Sequence, residues 1–285
     1  MNLQELLRLP RLPVRARLVV EGTLAGMHRS PYHGFSVQFS DHRPFVPGDA
    51  IRFIDWKVYA RRERLYIKQF EEETNLRAFV LLDLSRSMDY GPKWEYARTL
   101  AAALALLLHL QRDAVGLYAF SDHREEVLPA RVSRAHLHRL WGVLERLRPE
   151  GRLAFPLLEG WLTHIPRRSV LFVISDGWGS LEAWTRALRW MTGGRREVLF
   201  FQVITPEEED PSTLPAGQWE DLETGERRPV EPDRMLARYR EALARQREAL
   251  RETLYARRME FHVARTDRPL EELMSLVLLR RRRWY

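Results

Sequence analysis

From residue 76 onward the apolar positions alternate between two periods. Short runs rich in β-branched and aromatic residues, at 76–84, 114–120, 169–175, 198–204 and 259–264, are bounded mostly by charge or Gly and read as buried strands. Between them the period lengthens. Trp94, Ala97, Ala101, Leu104 and Leu108 recur at helical steps, and Leu236, Tyr239, Leu243, Leu250 and Leu254 share one face of a longer helix. Further helices are expected over 134–147, 155–165, 181–191 and 270–280. Strand and helix in strict turn predict an α/β fold, a mostly parallel sheet with helices on both faces. Residues 125–128, after the turn at Ser121-Asp122-His123, read as a short antiparallel edge strand. Residues 219–230 read as a hairpin turning at Thr224-Gly225, an insertion near 216–231 ahead of the long helix.

The first 75 residues have another character. Pro47 and Gly48 stand where a type II turn wants them, and 35–39 and 65–70 on either side are strand-like. The expected organisation is a small β-rich N-terminal subdomain, 1–75, and an α/β domain, 76–285. The connection, residues 71–75, contains neither Pro nor Gly and predicts no free linker. Asp49, Arg52, Asp55 and Arg61 read as an internal ion-pair lattice, and Trp56 as core.

Composition narrows the chemistry. A chain of 285 residues, 45% hydrophobic, can bury a large core, and its lack of cysteine removes disulfides, thiolate metal sites and cysteine nucleophiles. The longest apolar run, 99–108, is far short of the roughly 20 residues that span a bilayer. The N-terminal stretch places Glu5, Arg8 and Arg11 among its apolar positions and lacks a signal-peptide core. A cytoplasmic protein without a membrane span is expected. The net charge of +7 invites an anionic partner, but the basic residues are interspersed with Glu along helical stretches, the pattern of a solvated, ion-paired surface. The alternative from another class is a nucleic-acid-binding protein that uses this Arg-rich surface and the aromatic-basic tail 280–285.

The residues with chemistry stand at strand ends. Asp83-Leu84-Ser85-Arg86-Ser87 follows the first strand, and Asp176-Gly177 follows a later one. In open α/β sheets ligands bind beyond the carboxyl ends of the strands. Residues at i, i+2 and i+4 of a loop leaving a strand can face one point, and their oxygen ligands suit a hard cation such as Mg²⁺, which keeps several waters. The plainer reading is a helix cap, since Asp and Ser favour that position. Enzyme signatures are missing: His136 and His138 lie on different faces of a helix, and there is no His-Glu-x-x-His, no phosphate-binding loop and no Gly-x-Ser-x-Gly elbow. Ser85 stands where an Asp-x-Asp phosphatase needs its second carboxylate.

The spacing Asp83-x-Ser85-x-Ser87 with Asp176-Gly177 resembles the metal-ion-dependent adhesion site of von Willebrand factor A-type domains. In that family the two serines ligate Mg²⁺ directly and the two aspartates act largely through water. A threonine from an intervening loop completes the set, and an acidic side chain of a partner fills the open position. The resemblance therefore implies a von Willebrand A-like, non-enzymatic interaction module with Mg²⁺ at Asp83, Ser85, Ser87 and Asp176. The chain departs from the pattern in the loop 148–155, which has no Thr or Ser, and Thr163 falls inside the next helix. A nearby Arg86 or Arg152 is then a candidate to replace the cation.

Further resemblance lies in His28-Arg-Ser-Pro-Tyr-His-Gly34, Asp41-His-Arg43-Pro44, Pro47-Gly48-Asp49, Asp55-Trp56-Lys57 and Tyr66-Ile67-Lys68 through Thr74. These are similar to a bacterial family of unknown function associated with MoxR-type AAA+ ATPases. The resemblance implies an adaptor that works beside such an ATPase in maturing or remodelling a client protein.

Overall fold

A computed structural model describes residues 3–9, 11–28, 42–44, 66–68, 76–214, 216–222, 225–230 and 232–281. The chain divides into two compact units, one of residues 1–25 with 76–285 and the other of residues 26–75. In the smaller unit, β1 (His42–Pro44) pairs antiparallel with β2 (Tyr66–Lys68), Arg43 opposite Ile67. The expected strand at 35–39, the turn at 46–49 and the lattice of Asp49, Arg52, Asp55 and Arg61 with Trp56 lie outside the described residues, as does the 71–75 connection.

The N-terminal segment forms α1 (Leu3–Leu7) and α2 (Leu12–His28), which belong to the larger unit as far as residue 25. This corrects the expectation of a β-rich segment from residue 1. Leu3, Leu6, Leu12, Ala16, Val19 and Val20 recur at helical steps and are buried. Arg15 ties the segment down, with Nη1 donating to Glu95 Oε2 at 2.7 Å and Nε donating to the Leu9 carbonyl at 2.7 Å.

Then come β3 (Arg77–Asp83), α3 (Lys93–Leu110), β4 (Ala114–Phe120), β5 (Glu125–Arg131), α4 (Arg134–Arg146), α5 (Phe155–Leu162), β6 (Ser169–Ser175), α6 (Leu181–Thr192) and β7 (Glu197–Ile204). A single turn α7 (Pro206–Glu209), the hairpin β8 (Gly217–Glu220) and β9 (Arg227–Val230), α8 (Pro232–Tyr255), β10 (Glu260–Arg265) and α9 (Leu270–Arg281) complete the unit. Six strands form the main sheet in the order β10-β7-β6-β3-β4-β5, all parallel except the edge strand β5. This is the predicted α/β fold, with every expected strand of residues 76–285 in place.

Alternation within the strands sends side chains to two cores. Phe79, Leu81, Tyr118, Phe120, Leu171, Val173 and Phe200 meet α5, α6 and α8 through Leu158, Trp184, Leu188 and Leu250. Val80, Leu82, Leu117 and Phe172 lie on the opposite face of the same buried strands, where α3 packs against β3 and β4 and is itself covered by α4 and α9. Burial on both faces explains why the central strands read as continuous apolar runs rather than as alternation. At Gly116 a Cβ would stand 2.6 Å from the Phe79 ring and 2.8 Å from the Leu128 carbonyl, so only glycine fits beside the register shift between β4 and β5.

Candidate functional site at the strand tips

The chain enters the main sheet at β3, builds outward through β4 and β5, then returns to the other side of β3 for β6 and continues to β7 and β10. The loops after β3 and β6 therefore leave in opposite directions and open a crevice at their carboxyl ends, the switch point at which open α/β sheets place ligands. Asp83 and Asp176 stand there because each follows a buried apolar strand and the two strands are neighbours, Leu82 opposite Ile174.

Asp83 is buried and both carboxylate oxygens are engaged. Oδ1 accepts the Ser85 backbone N–H at 2.8 Å, and Oδ2 accepts the Ser175 hydroxyl at 2.6 Å. Ser175 Oγ in turn accepts Gly177 N–H at 3.0 Å. Burial, with the Asp176 charge adding to it, pushes the Asp83 carboxyl up to about 7, against the pull of the Ser175 and Ser85 hydrogen bonds. Ser85 and Ser87 are 3.0 Å apart, oxygen to oxygen, Ser85 buried and Ser87 half-buried. The four predicted residues thus come together on adjacent loops.

The neighbour that sequence reading missed is Lys93, in the first turn of α3. Its side chain is 0% exposed, and Nζ donates to Asp176 Oδ2 at 3.0 Å and to Glu208 Oε1 at 2.6 Å. Burial disfavours the ammonium, and Asp176 and Glu208 outweigh that, so its proton is held more tightly than in free lysine. Burial raises the Glu208 carboxyl, and the Lys93 charge opposes that shift. Glu208 is placed by a capping box at α7: the Thr205 hydroxyl accepts Glu208 N–H, and Glu208 Oε2 accepts Thr205 N–H at 3.0 Å. Gln202 at the end of β7 donates to the Asp176 carbonyl at 3.0 Å, and Arg247 Nε on α8 donates to Gln202 Oε1 at 3.2 Å.

These residues do not fit a divalent cation held by Asp83, Ser85, Ser87 and Asp176. Asp176 Oδ1 accepts Trp178 N–H at 3.1 Å and its other oxygen accepts the ammonium, so neither aspartate has an oxygen without a protein donor. A divalent ion on this set would bring two further positive charges beside Lys93. Among the described residues no cluster of three His, Asp or Glu side chains is arranged to hold a metal. The 148–154 loop is joined to the loop after β3 through backbone, Arg86 N–H to Gly151 O at 2.9 Å and Glu150 N–H to Leu84 O at 2.7 Å. The Thr163 hydroxyl bonds the Gly160 carbonyl within its own helix end. Arg86 and Arg152, the expected substitutes for the cation, are both exposed.

One signal in the sequence pointed to Lys93: it is one of three lysines among 46 basic residues. A compact ammonium on a flexible stem can enter a narrow site that a planar guanidinium does not fit. Ser175, Thr205 and Glu208 carried no comparable mark.

A model of the family described as protein of unknown function DUF58 matches residues 41–252. The chain belongs to the DUF58 family. This DUF58 chain is 28% identical over 229 residues, 77% of its length and 70% of the relative's, to uncharacterized protein Rv1480 of Mycobacterium tuberculosis, and equally to Mb1516 of Mycobacterium bovis. Among solved structures it resembles the conserved hypothetical protein BatB of Bacteroides thetaiotaomicron, at 18% identity and a TM-score of 0.41 over 72% of this chain and 98% of that one. It also resembles the SpRpn10 VWA domain, at 14% identity and a TM-score of 0.43 over 70% and 94%. Likeness at this level is coarse, and the α/β class of this DUF58 chain stands on its own sheet order. Among the described residues no helix is long and apolar enough to cross a membrane.

Proposed function

We propose that the protein is a non-enzymatic, cytoplasmic interaction module. On this reading it docks a partner at the β3 and β6 tips and works beside a MoxR-type AAA+ ATPase in the maturation or remodelling of a client protein. The observation that carries this reading is the convergence of Asp83, Ser85, Ser87 and Asp176 at the topological switch point. The serine hydroxyl that meets a carboxylate, Ser175 on Asp83, is buried with its partner and also accepts Gly177 N–H, so it serves the loop rather than an exposed substrate. Ser85 and Ser87 contact one another, and the buried carboxylates are engaged by serine hydroxyls, backbone N–H groups and an ammonium, which is an arrangement for holding loops in place.

The test is direct binding of a purified MoxR-type AAA+ ATPase from the same organism to the full chain, by interferometry. Arg86→Glu and Ser87→Ala change the rim of the site with little effect on the core, Arg86 being exposed and Ser87 half-buried. Each is expected to weaken the complex, Arg86→Glu by about tenfold or more as for loss of a central interface contact, with the melting temperature unchanged. Unaltered affinity in both variants would move the interface away from the strand tips. Recognition of an acidic partner residue through Mg²⁺ at Asp83, Ser85, Ser87 and Asp176 is the form of this reading that the family resemblance implies, and it requires EDTA to dissociate the complex. A complex that survives EDTA depends on the protein's own groups.

A further inference from the structure

We propose that Lys93 is the resident cation of this site: its ammonium, clamped between Asp176 and Glu208, supplies the positive charge that a divalent metal supplies in metal-ion-dependent adhesion sites, and the strand tips hold their shape without metal. The inference rests on the strand-tip reading of the site and not on the identity of any partner.

Three carboxyl groups, Asp83, Asp176 and Glu208, gather at the ends of β3, β6 and β7 with side chains buried or nearly so, and such groups persist in an interior only when paired and hydrogen-bonded. Two of them meet the same nitrogen, at 3.0 and 2.6 Å. Lys93 is among the largest fully buried side chains of the chain, so its four-carbon stem also fills volume that an ion with its waters would otherwise take. Each partner is held from behind: Asp176 by Trp178 N–H, Glu208 by the Thr205 cap, and Lys93 by its place in the first turn of α3. The bridge consequently links the tips of β6 and β7 to the helix that follows β3, all three sides of the crevice. A lysine in this position also accounts for the loop 148–154 without a hydroxyl, since an internal ammonium requires no fifth ligand.

The inference is tested on the full chain without partner, using Mg²⁺, Ca²⁺ and Mn²⁺ as probes. For the wild type, isothermal titration is expected to show no stoichiometric binding, and the melting temperature is expected to be the same in EDTA and in saturating Mg²⁺. Lys93→Ala leaves Asp176 and Glu208 facing a space without a cation. Its melting temperature is expected to fall in EDTA and to recover on adding at least one of the three ions, a response that Asp176→Asn in the same background abolishes. Stoichiometric Mg²⁺ binding by the wild type, lost in Ser85→Ala, would overturn the inference, as would a Lys93→Ala protein that is stable and indifferent to all three ions. Should Lys93→Ala fail to fold, Lys93→Met keeps the stem and removes only the charge, and the wild-type titration decides by itself. Because no partner enters the measurement, failure to bind the ATPase leaves this result unaffected.

Discussion

Asp83 carries a cost that depends on pH. Its folded carboxyl titrates near 7 against an ordinary value of 3.8, because burial and the Asp176 charge both oppose ionisation. The unfolded chain releases this proton first as pH rises, so the folded state is disfavoured progressively from about 3.8 to about 7; below 3.8 both states keep the proton and the cost vanishes. Asp83→Asn keeps an acceptor for Ser85 N–H and removes the ionisation. Urea denaturation across that window should find the variant gaining on the wild type as pH rises, and a gap that stays constant would show that Asp83 does not titrate there. Gly177 offers a second test. Its φ is +75°, and an added Cβ would stand 3.2 Å from Leu250 and 3.3 Å from Gln202, so Gly177→Ala should cost about 1–3 kcal/mol in chemical denaturation. Asp83, Ser85, Ser87 and Asp176 were legible because polar residues directly after buried apolar runs mark strand tips. For Lys93 the scarcity of lysine was the only mark, and it named no partner, since a lysine in a first helical turn reads as surface until the packing shows what it meets.

At the scale of elements, α7 is a four-residue turn whose purpose is positional. Its capping box orients Glu208 toward Lys93, so Thr205→Ala should lose about 1 kcal/mol, the ordinary worth of an N-cap, while Thr205→Ser should retain it. A double-mutant cycle with Lys93→Met should show coupling, because both changes loosen the same carboxylate; strict additivity would place the cap outside the network. The strands and longer helices of residues 76–285 followed from periodicity because each buries a face or both faces. The element α7 was beyond that reading, being too short to display a period. The hairpin was expected at 219–230 and is found as Gly217–Glu220 paired with Arg227–Val230, its turn encoded by local chemistry at Gly225, where φ is +71°.

At the scale of the molecule, residues 1–25 belong to the same compact unit as 76–285, with Leu6, Ala16 and Val19 fully buried. Deleting them exposes apolar surface on the larger unit, and calorimetry should find a lower melting temperature together with a greater tendency to aggregate. A truncated protein as stable as the full chain would mean that this helical segment contributes nothing to the fold. Several arginines of the described surface are paired locally. Arg186 pairs with Glu159, Arg240 with Asp210, Arg247 and Arg265 with Glu209, and Arg251 with Glu248. Fluorescence anisotropy at physiological salt should therefore find nucleic-acid affinity no tighter than the non-specific range, about 10⁻⁴–10⁻⁶ M. Tighter binding would favour the alternative carried by the Arg-rich surface and the tail 280–285, of which residues 282–285 lie outside the described part of the chain.

By itself the sequence determined the α/β class, the order of elements from residue 76, and the two strand tips bearing Asp83 and Asp176, because burial on one or both faces leaves a readable period and a polar residue ends each run. Tertiary structure alone decided that β3 and β6 are neighbours at the switch point, and that Asp176 and a glutamate from beyond β7 meet at a lysine from α3. Those contacts join residues 83 and 115 positions apart, and no local pattern records which charges will meet once the sheet has assembled.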